Sequence, residues 1–125
     1  MNALSQIHRA VRPGGVLLDL HPTRPFATLE AGGVRLGSID EREFMRIVEA
    51  TEAGLATTVR RGLFAPEEAL RFDVIERFDT ADELVEKVDG WEGVRVPTRL
   101  ARRVRAGEPP FDVRERVVLQ RFRVR

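Results

Sequence analysis

The run Pro13-Gly14-Gly15, followed by Val16 to Leu20, constrains the fold of this chain more than any other stretch. The residue before a proline is disfavoured in the α region, so a helix is expected to end at Arg12. The two glycines supply the positive φ angles of a tight turn. The apolar run that follows is typical of a strand covered on both faces, as in a parallel sheet. The stretch therefore predicts a helix, a turn and a buried strand, in that order.

Composition narrows the class of protein. The chain has 125 residues, of which 42% are hydrophobic and 33% charged, as in one globular domain spanning residues 1–125. The net charge of +1 predicts no strong attraction to nucleic acid or to an anionic membrane. Twenty of the 21 basic residues are arginine, a bias typical of a GC-rich bacterial genome and less often of a thermophile. Because the chain has no cysteine, disulfides, thiolate metal sites and cysteine nucleophiles are excluded.

Hydropathy bears on the compartment. No apolar run approaches the roughly 20 residues that span a membrane. No signal-peptide pattern opens the chain. The expectation is a cytoplasmic protein without a membrane partner.

Helical periodicity and capping residues predict the helices. Ala3 to Val11 carries an apolar stripe, with Asn2 as its N-cap. A long helix is expected to begin at a capping box of Ser38 and Glu41 and to end at Gly62. Its core-facing stripe comprises Phe44, Ile47, Val48, Thr51, Leu55 and Val59. Two shorter helices are expected after a second capping box at Thr80 and Glu83 and over Pro97 to Ala106. Gly54 lies on a small-residue face and is expected to admit a closely packed neighbour or to kink the helix.

Alternating segments predict the strands. Phe26 to Glu30 and Val34 to Leu36, separated by Ala31-Gly32-Gly33, indicate a β-hairpin with glycine at the turn. Leu70 to Phe78 and Val113 to Val124 alternate as further strands. Pro66-Glu67-Glu68 favours a single helical turn before the first of these.

Residues 4–18 resemble a helix and the fifth strand of class I S-adenosylmethionine-dependent methyltransferases. Those enzymes often carry the pattern L-x-x-x-x-R-x-L-x-P-G-G there, with valine replacing the second leucine in this chain. The matching residues are Leu4, Arg9, Val11, Pro13, Gly14 and Gly15. The later elements resemble the family in their order: a long helix, a sixth strand, and a final strand that returns antiparallel between the fifth and sixth. The resemblance implies an α/β fold with a mixed, partly parallel sheet and packed helices, similar to the C-terminal half of a Rossmann-like methyltransferase, plus a β-hairpin insertion.

The resemblance also implies what this chain lacks. The family binds S-adenosylmethionine in its first half, with a glycine-rich loop at a helix N-terminus and an acidic residue that ends the second strand. Gly14-Gly15 and Gly32-Gly33 precede a strand or lie in a hairpin and do not fit such a loop. The chain alone is therefore expected to bind no cofactor. Either the gene encodes only this half, or the chain is a fragment of a longer enzyme.

The candidate site residues follow the first strand. His21 and Arg24 lie just beyond its carboxyl end, where ligands collect in open α/β sheets, and would face a substrate pocket once the missing half is supplied. The alternative for His21 is a structural loop histidine between prolines, and Asp19 is expected to be paired or to face the edge of the sheet, and not to be catalytic. An arginine-rich helix could bind phosphate or nucleic acid, but an ion-paired, solvated face is favoured because the helix has no aromatic residue to stack on bases. Its arginines are Arg99, Arg102, Arg103 and Arg105.

The predicted function is that of a methyltransferase-related protein that lacks the cofactor-binding half and is not catalytic alone. The alternative is a self-associating binding or scaffold module. A homodimer is expected because Val16 to Leu20 would form an unprotected apolar edge, which a second copy, the missing N-terminal half or the hairpin at Phe26 to Leu36 would have to cover.

Overall fold

The computed structural model describes residues 3–125, and the N-cap expected at Asn2 lies outside that range. The described residues form four helices and five strands. In chain order they are α1 (Ala3–Ala10), β1 (Val16–Pro22), β2 (Thr28–Ala31), β3 (Val34–Ser38), α2 (Arg42–Arg60), β4 (Phe64–Phe78), α3 (Ala81–Asp89), α4 (Thr98–Ala106) and β5 (Phe111–Val124).

The sheet is organised around β5, the last strand in the chain. One edge of β5 pairs with β4 along its whole length, from Phe64 opposite Val124 to Phe78 opposite Phe111. The other edge pairs with β1 through residues 117–123 and with β2 through residues 111–114. The hairpin is completed by β3, which pairs with β2. All of these pairings are antiparallel.

The prediction of a mixed, partly parallel sheet is therefore wrong: the α/β fold contains an open, antiparallel five-stranded sheet. The reason is the position of β5. Strands β1 and β4 run in the same direction, but β5 separates them, so no parallel pair forms. The predicted return of the final strand, antiparallel between the first strand and the one after the long helix, is confirmed.

Two hydrophobic cores lie on opposite faces of the sheet, at opposite ends of β5. Toward its C-terminal end, the face of Phe122 and Val124 packs against α1 and α2. Toward its N-terminal end, the face of Phe111 and Val113 packs against α3 and α4. Because successive side chains of a strand point to opposite faces, one continuous strand serves both cores. Each end of the sheet is consequently covered by helices on one face only.

This arrangement leaves β1 half covered. Leu17 packs into the core under α1 and α2. Its neighbours Leu18 and Leu20 point to the other face and are 62% and 59% exposed. The prediction of a strand buried on both faces is therefore wrong for the described residues. The continuous apolar run indicated two apolar faces, but only one of them meets a helix here.

The start of α2 differs from the prediction. Ser38 is the last residue of β3, where it pairs with Thr28, so it does not cap the helix. The helix begins four residues later. The Asp40 carboxylate accepts from the Arg42 amide at 3.2 Å, and the Glu41 carboxylate accepts from the Ala27 amide at 3.0 Å. The predicted end is confirmed, because Gly62 follows the helix with a φ of 74°.

Several other local predictions have clear outcomes. The Thr80 hydroxyl accepts from the Glu83 amide at 3.1 Å, so the second capping residue is confirmed. A Cβ on Gly54 would lie 3.2 Å from Leu4 Cδ1, which confirms a closely packed neighbour. The helical turn at Pro66 is wrong: β4 already begins at Phe64, and the pairing shifts by one residue between Pro66 and Glu68. Within residues 3–125, no helix combines the length and the apolar composition needed to cross a membrane.

Candidate functional site

His21 lies at the end of β1, on the face that α2 covers. Asp19 and His21 are two residues apart in the strand, so their side chains point to the same side of the sheet. In the register of the sheet, His21 lies opposite Val118 of β5, and Val118 lies opposite Arg71 of β4. A row of side chains thus crosses three strands beneath the helix.

Both ring nitrogens of His21 contact carboxylates. Nδ1 lies 2.5 Å from Oδ2 of Asp19, and Nε2 lies 3.2 Å from Oε1 of Glu52 on α2. The His21 side chain is only 10% exposed, against 47% for Glu52. When Nδ1 donates to Asp19 in the neutral ring, the lone pair lies on Nε2 and is available to a ligand, whereas Nε2 donates to the Glu52 carboxylate only in the imidazolium form. Strand β1 therefore orients the ring, and Nε2 faces Glu52 at the cleft.

A cleft of about 490 Å³ opens beside His21, between α2 and the sheet. This volume is in the range of small-molecule sites. Its apolar wall is formed by Leu55, Ala56, Val59, Val118 and Phe122. Its polar lining is formed by His21, Thr23, Glu52, Arg60, Arg71 and Gln120. An apolar wall with a positioned imidazole and two guanidinium groups suits a small ligand that carries an anionic group and an exchangeable proton.

The two predicted site residues are separated in the structure. His21 lines the cleft, whereas Arg24 lies outside it and forms an ion pair with Glu49 on α2. Both of these charged side chains are largely exposed. Asp19 is paired, as expected, and its partner is His21.

Sequence reasoning did not select the other polar residues of the cleft. Arg71 stands between Leu70 and Phe72, so alternation alone puts it on the opposite face from those apolar side chains. Glu52 and Arg60 belong to the polar residues of the long helix. What the sequence did not reveal is that α2 lies over the row containing His21, because that depends on the packing of the helix against the sheet.

Two of the four arginines on helix α4 contact other parts of the chain. Arg103 donates to the Leu36 carbonyl at 3.1 Å, and Arg105 donates to the Asp82 carboxylate at 2.8 Å. Arg99 and Arg102 are exposed. The ion pair of Arg105 with Asp82 and the exposure of Arg99 and Arg102 agree with the interpretation of a solvated, ion-paired face.

A second recess of about 330 Å³ contains two carboxylates beside aromatic rings. Glu41 and Glu115 line it together with Phe44 and Trp91. Burial raises the pKa of Glu41, and burial followed by the negative charges of Glu41 and Glu76 raises the pKa of Glu115. These carboxyl groups therefore hold a proton at higher pH than free side chains do.

At the rim of α2, the neighbouring Asp40 behaves in the opposite way. The hydrogen bonds that it accepts from Arg42 lower its pKa to about 2.

Among residues 3–125, no group of three or more side chains is arranged to hold a metal ion.

The described residues do not fit S-adenosylmethionine as the resemblance would require. The glycines with positive φ lie before β1, in the hairpin, after α2 and between α3 and α4, and none lies between a strand and a helix that follows it. They are Gly14, Gly32, Gly33, Gly62 and Gly93. The start of α2 carries Asp40, Glu41 and Glu43 instead of a glycine-rich loop. Comparison of the chain with protein-family models, with curated proteins and with solved structures gave no match in any of the three.

Proposed function

We propose that this chain is the C-terminal half of a class I methyltransferase-like domain, that it does not catalyse by itself, and that the cleft at His21 forms part of the substrate side. The observation that carries the proposal is the strand order. β5 lies between β1 and β4 and runs antiparallel to both, in the order expected of the fifth, seventh and sixth strands of that family. The helices on either side of β1 in the chain, α1 and α2, pack on the same face of these strands.

The open surfaces around β1 are a second support. Among the described residues, β1 pairs only with β5, so its outer edge has no strand partner. Leu18 and Leu20 expose an apolar face beside that edge. In the family a fourth strand pairs with this edge, and sheets of this class are covered by helices on both faces. The missing half could therefore pair with the free edge of β1 and cover the apolar face formed by Leu18 and Leu20.

A groove between α1, β1 and α2 adds to this surface. It has a volume of about 550 Å³ and is lined mainly by apolar side chains, including Leu17, Leu18 and Ile47. Ile47 was expected in the core of α2 but is 53% exposed. An apolar residue on the exposed side of the groove fits a helix whose packing is completed by another segment.

The cleft at His21 would serve a substrate with a polar head. Nε2 of His21 accepts or donates a proton once the exposed Glu52 side chain turns away, while Asp19 keeps the ring in place. Arg60 attracts an anionic group of the same molecule, and the apolar wall of the cleft contacts the remainder. Because the described residues do not fit the cofactor, the methyl transfer itself is assigned to no residue of this chain.

The test has two arms. The chain alone is titrated with S-adenosylmethionine by calorimetry and is expected to show no saturable binding with a Kd below about 100 μM, which corresponds to roughly −5.5 kcal/mol. It is then expressed together with the polypeptide encoded immediately upstream, in the same frame or in an adjacent gene. A stable complex that binds S-adenosylmethionine is expected, and L18K and L20K should weaken the complex.

Two results would refute the proposal: tight cofactor binding by the chain alone, or an upstream sequence without a glycine-rich strand-loop-helix segment. R102E provides a control for altered surface charge, because Arg102 is an exposed residue of α4, remote in sequence from β1. This variant should leave the complex unchanged.

The alternative function, a self-associating binding or scaffold module, is favoured by one separate observation. β4 presents a long strand edge that no other described strand covers.

A further inference from the structure

We propose that the free edge of β4 pairs with the same edge of a second copy of this chain, antiparallel, about a two-fold axis that passes beside Phe72. Within residues 3–125, β4 pairs with β5 alone, so the peptide groups on its other edge have no strand partner. The strand runs over 15 residues and is exposed along nearly all of them. Such an edge is a template for pairing with another chain.

Four exposed side chains of β4 are apolar where pairing would occur, and charged side chains lie between them. Leu70 is 52% exposed, Phe72 41%, Val74 41% and Ile75 48%. Proteins usually protect edge strands with proline, lysine or a bulge. Here the proline and the irregular pairing lie at the beginning, at Pro66 to Glu68, and the sequence from 69 to 78 contains neither proline nor lysine. The protected part is therefore short and the apolar part is open.

The charge pattern of the strand is complementary to itself in one register. In an antiparallel pair centred on Phe72, residues equally distant from Phe72 face each other on the same side of the sheet. Arg71 then faces the partner's Asp73, Leu70 faces the partner's Val74, and Ala69 faces the partner's Ile75. The two Phe72 rings meet at the axis. By symmetry each of the other contacts occurs twice.

Other registers are unfavourable. A shift of the axis by one residue sets Arg71 against Arg71 or Asp73 against Asp73. A shift by two residues sets Arg71 against Arg77, or Asp73 against Glu67. The register centred on Phe72 contains one kind of like-charge contact, Glu68 opposite Glu76, at the outer end of the paired segment. This self-complementarity is the reason for assigning a second copy, and not an unrelated protein, to the edge.

Within one copy of the chain, Arg71 and Asp73 remain available for ion pairs with a partner. No ion pair of Arg71 is formed among residues 3–125, although it lies in a strand rich in charged neighbours. Asp73 accepts only from the longer contacts of Arg114 at 3.3 Å and Arg116 at 3.4 Å. Pairing supplies Arg71 with a carboxylate. It also leaves β1 free, so this dimer and the complementary half of the proposed function use different edges.

Cross-linking tests the register directly, because the chain contains no cysteine. Directly opposite residues have Cβ atoms about 4.5 to 5.5 Å apart, close to the separation that a disulfide bridges. F72C is expected to form a symmetric disulfide dimer under mild oxidation. L70C is the matched control: its two copies would be four residues apart, roughly 13 Å, and should not link. The double variant L70C/V74C should link again. Equal linking by L70C and F72C would overturn the register.

Sedimentation tests the dimer itself over about 1 to 100 μM protein. The wild-type mass should approach twice 14.2 kDa, and a mass of 14.2 kDa at all concentrations would overturn the proposal. R71E should raise the dissociation constant by about tenfold or more, because two attractive contacts become repulsive. E68K should lower it, because the one like-charge contact becomes attractive, and failure of E68K to do so would also count against the register.

Two control variants distinguish pairing through β4 from a general effect of surface charge and from a contact made by β1. R102E makes the same charge change as R71E on the exposed surface of α4 and should leave the dimer intact. L18K alters β1, the edge that the proposed function assigns to the complementary half, and should also leave the dimer intact. Loss of the dimer in L18K with retention in R71E would show that β1 carries the contact and would refute pairing through β4.

Discussion

The two carboxylates that contact His21 are expected to contribute very unequally to stability. Asp19 Oδ2 lies 2.5 Å from Nδ1, and both side chains are mostly buried, at 19% and 10% exposure. A hydrogen bond to a charged group in such a place contributes about 1.5 to 3 kcal/mol. Glu52 lies 3.2 Å from Nε2 and is 47% exposed, so solvent screens it and about 0.2 to 1 kcal/mol is expected. The strand, and not the helix, should fix the ring.

Double-mutant cycles measure this difference. Asp19→Ala, His21→Ala and Glu52→Ala, singly and in the two pairs with His21, are unfolded in urea at one pH. The coupling free energy between Asp19 and His21 should be about 2 kcal/mol, and that between Glu52 and His21 below about 1 kcal/mol. Arg24→Ala with Glu49→Ala is the control, an exposed ion pair in the same region whose coupling should be equally small. A Glu52 coupling as large as that of Asp19 would refute the reasoning, because Nε2 would then be committed to the helix and unavailable to a ligand.

Three further results are expected. Thr80→Ala should lower the free energy of unfolding by about 1 kcal/mol through loss of a cap, whereas Ser38→Ala should change it little because that hydroxyl caps no helix; equal effects in denaturant melts would contradict the assignment. Phe64→Ala should cost about 3 to 5 kcal/mol, since the ring is 1% exposed, and a cost below 1 kcal/mol would mean that the core under α2 is misplaced. Burial raises the pKa of Glu41 above its ordinary 4.5, so the folded state binds this proton more tightly than the unfolded chain does. The resulting stabilisation is complete below pH 4.5 and is lost as the pH rises through the raised pKa. Glu41→Gln should therefore show a smaller fall in stability with rising pH than the wild type, and an unchanged slope in melts across this range would refute it.

Local signals predicted the parts of the fold that depend on short-range contacts. The hairpin formed where Gly32 and Gly33 supply positive φ, and the Thr80 hydroxyl capped the helix that follows it. The same rules failed where a longer-range contact competed. Ser38 has the pattern of a cap, but its backbone is paired with Thr28 across the hairpin. Pro66 suits the first turn of a helix, but β5 holds that segment in the sheet.

The candidate site was likewise predicted only where local signals along the sequence were sufficient. The end of an apolar strand indicated His21, and Asp19 was expected to be paired or to face the sheet edge, without a partner being named. Glu52 and Arg71 were not selected, because their relation to His21 depends on how α2 packs on the sheet. Arg24 follows the strand in the sequence, as the strand-end argument requires. In the structure it forms an ion pair with Glu49 on α2 and lies outside the cleft.

The central position of β5 has a consequence for how the chain reaches its folded state. Strands β1, β2 and β4 each pair with β5, and the hairpin of β2 and β3 is the only other pairing among the described strands. During synthesis, every strand except those of the hairpin must therefore wait, unpaired, until the last strand has emerged. The pairing of β1 with β5 joins residues about a hundred positions apart, as between Val16 and Arg123, and such long-range closure slows folding. For that interval, the apolar edge of β4 and the uncovered face of β1 are exposed to other chains. Completion of the sheet among the described strands thus depends on β5.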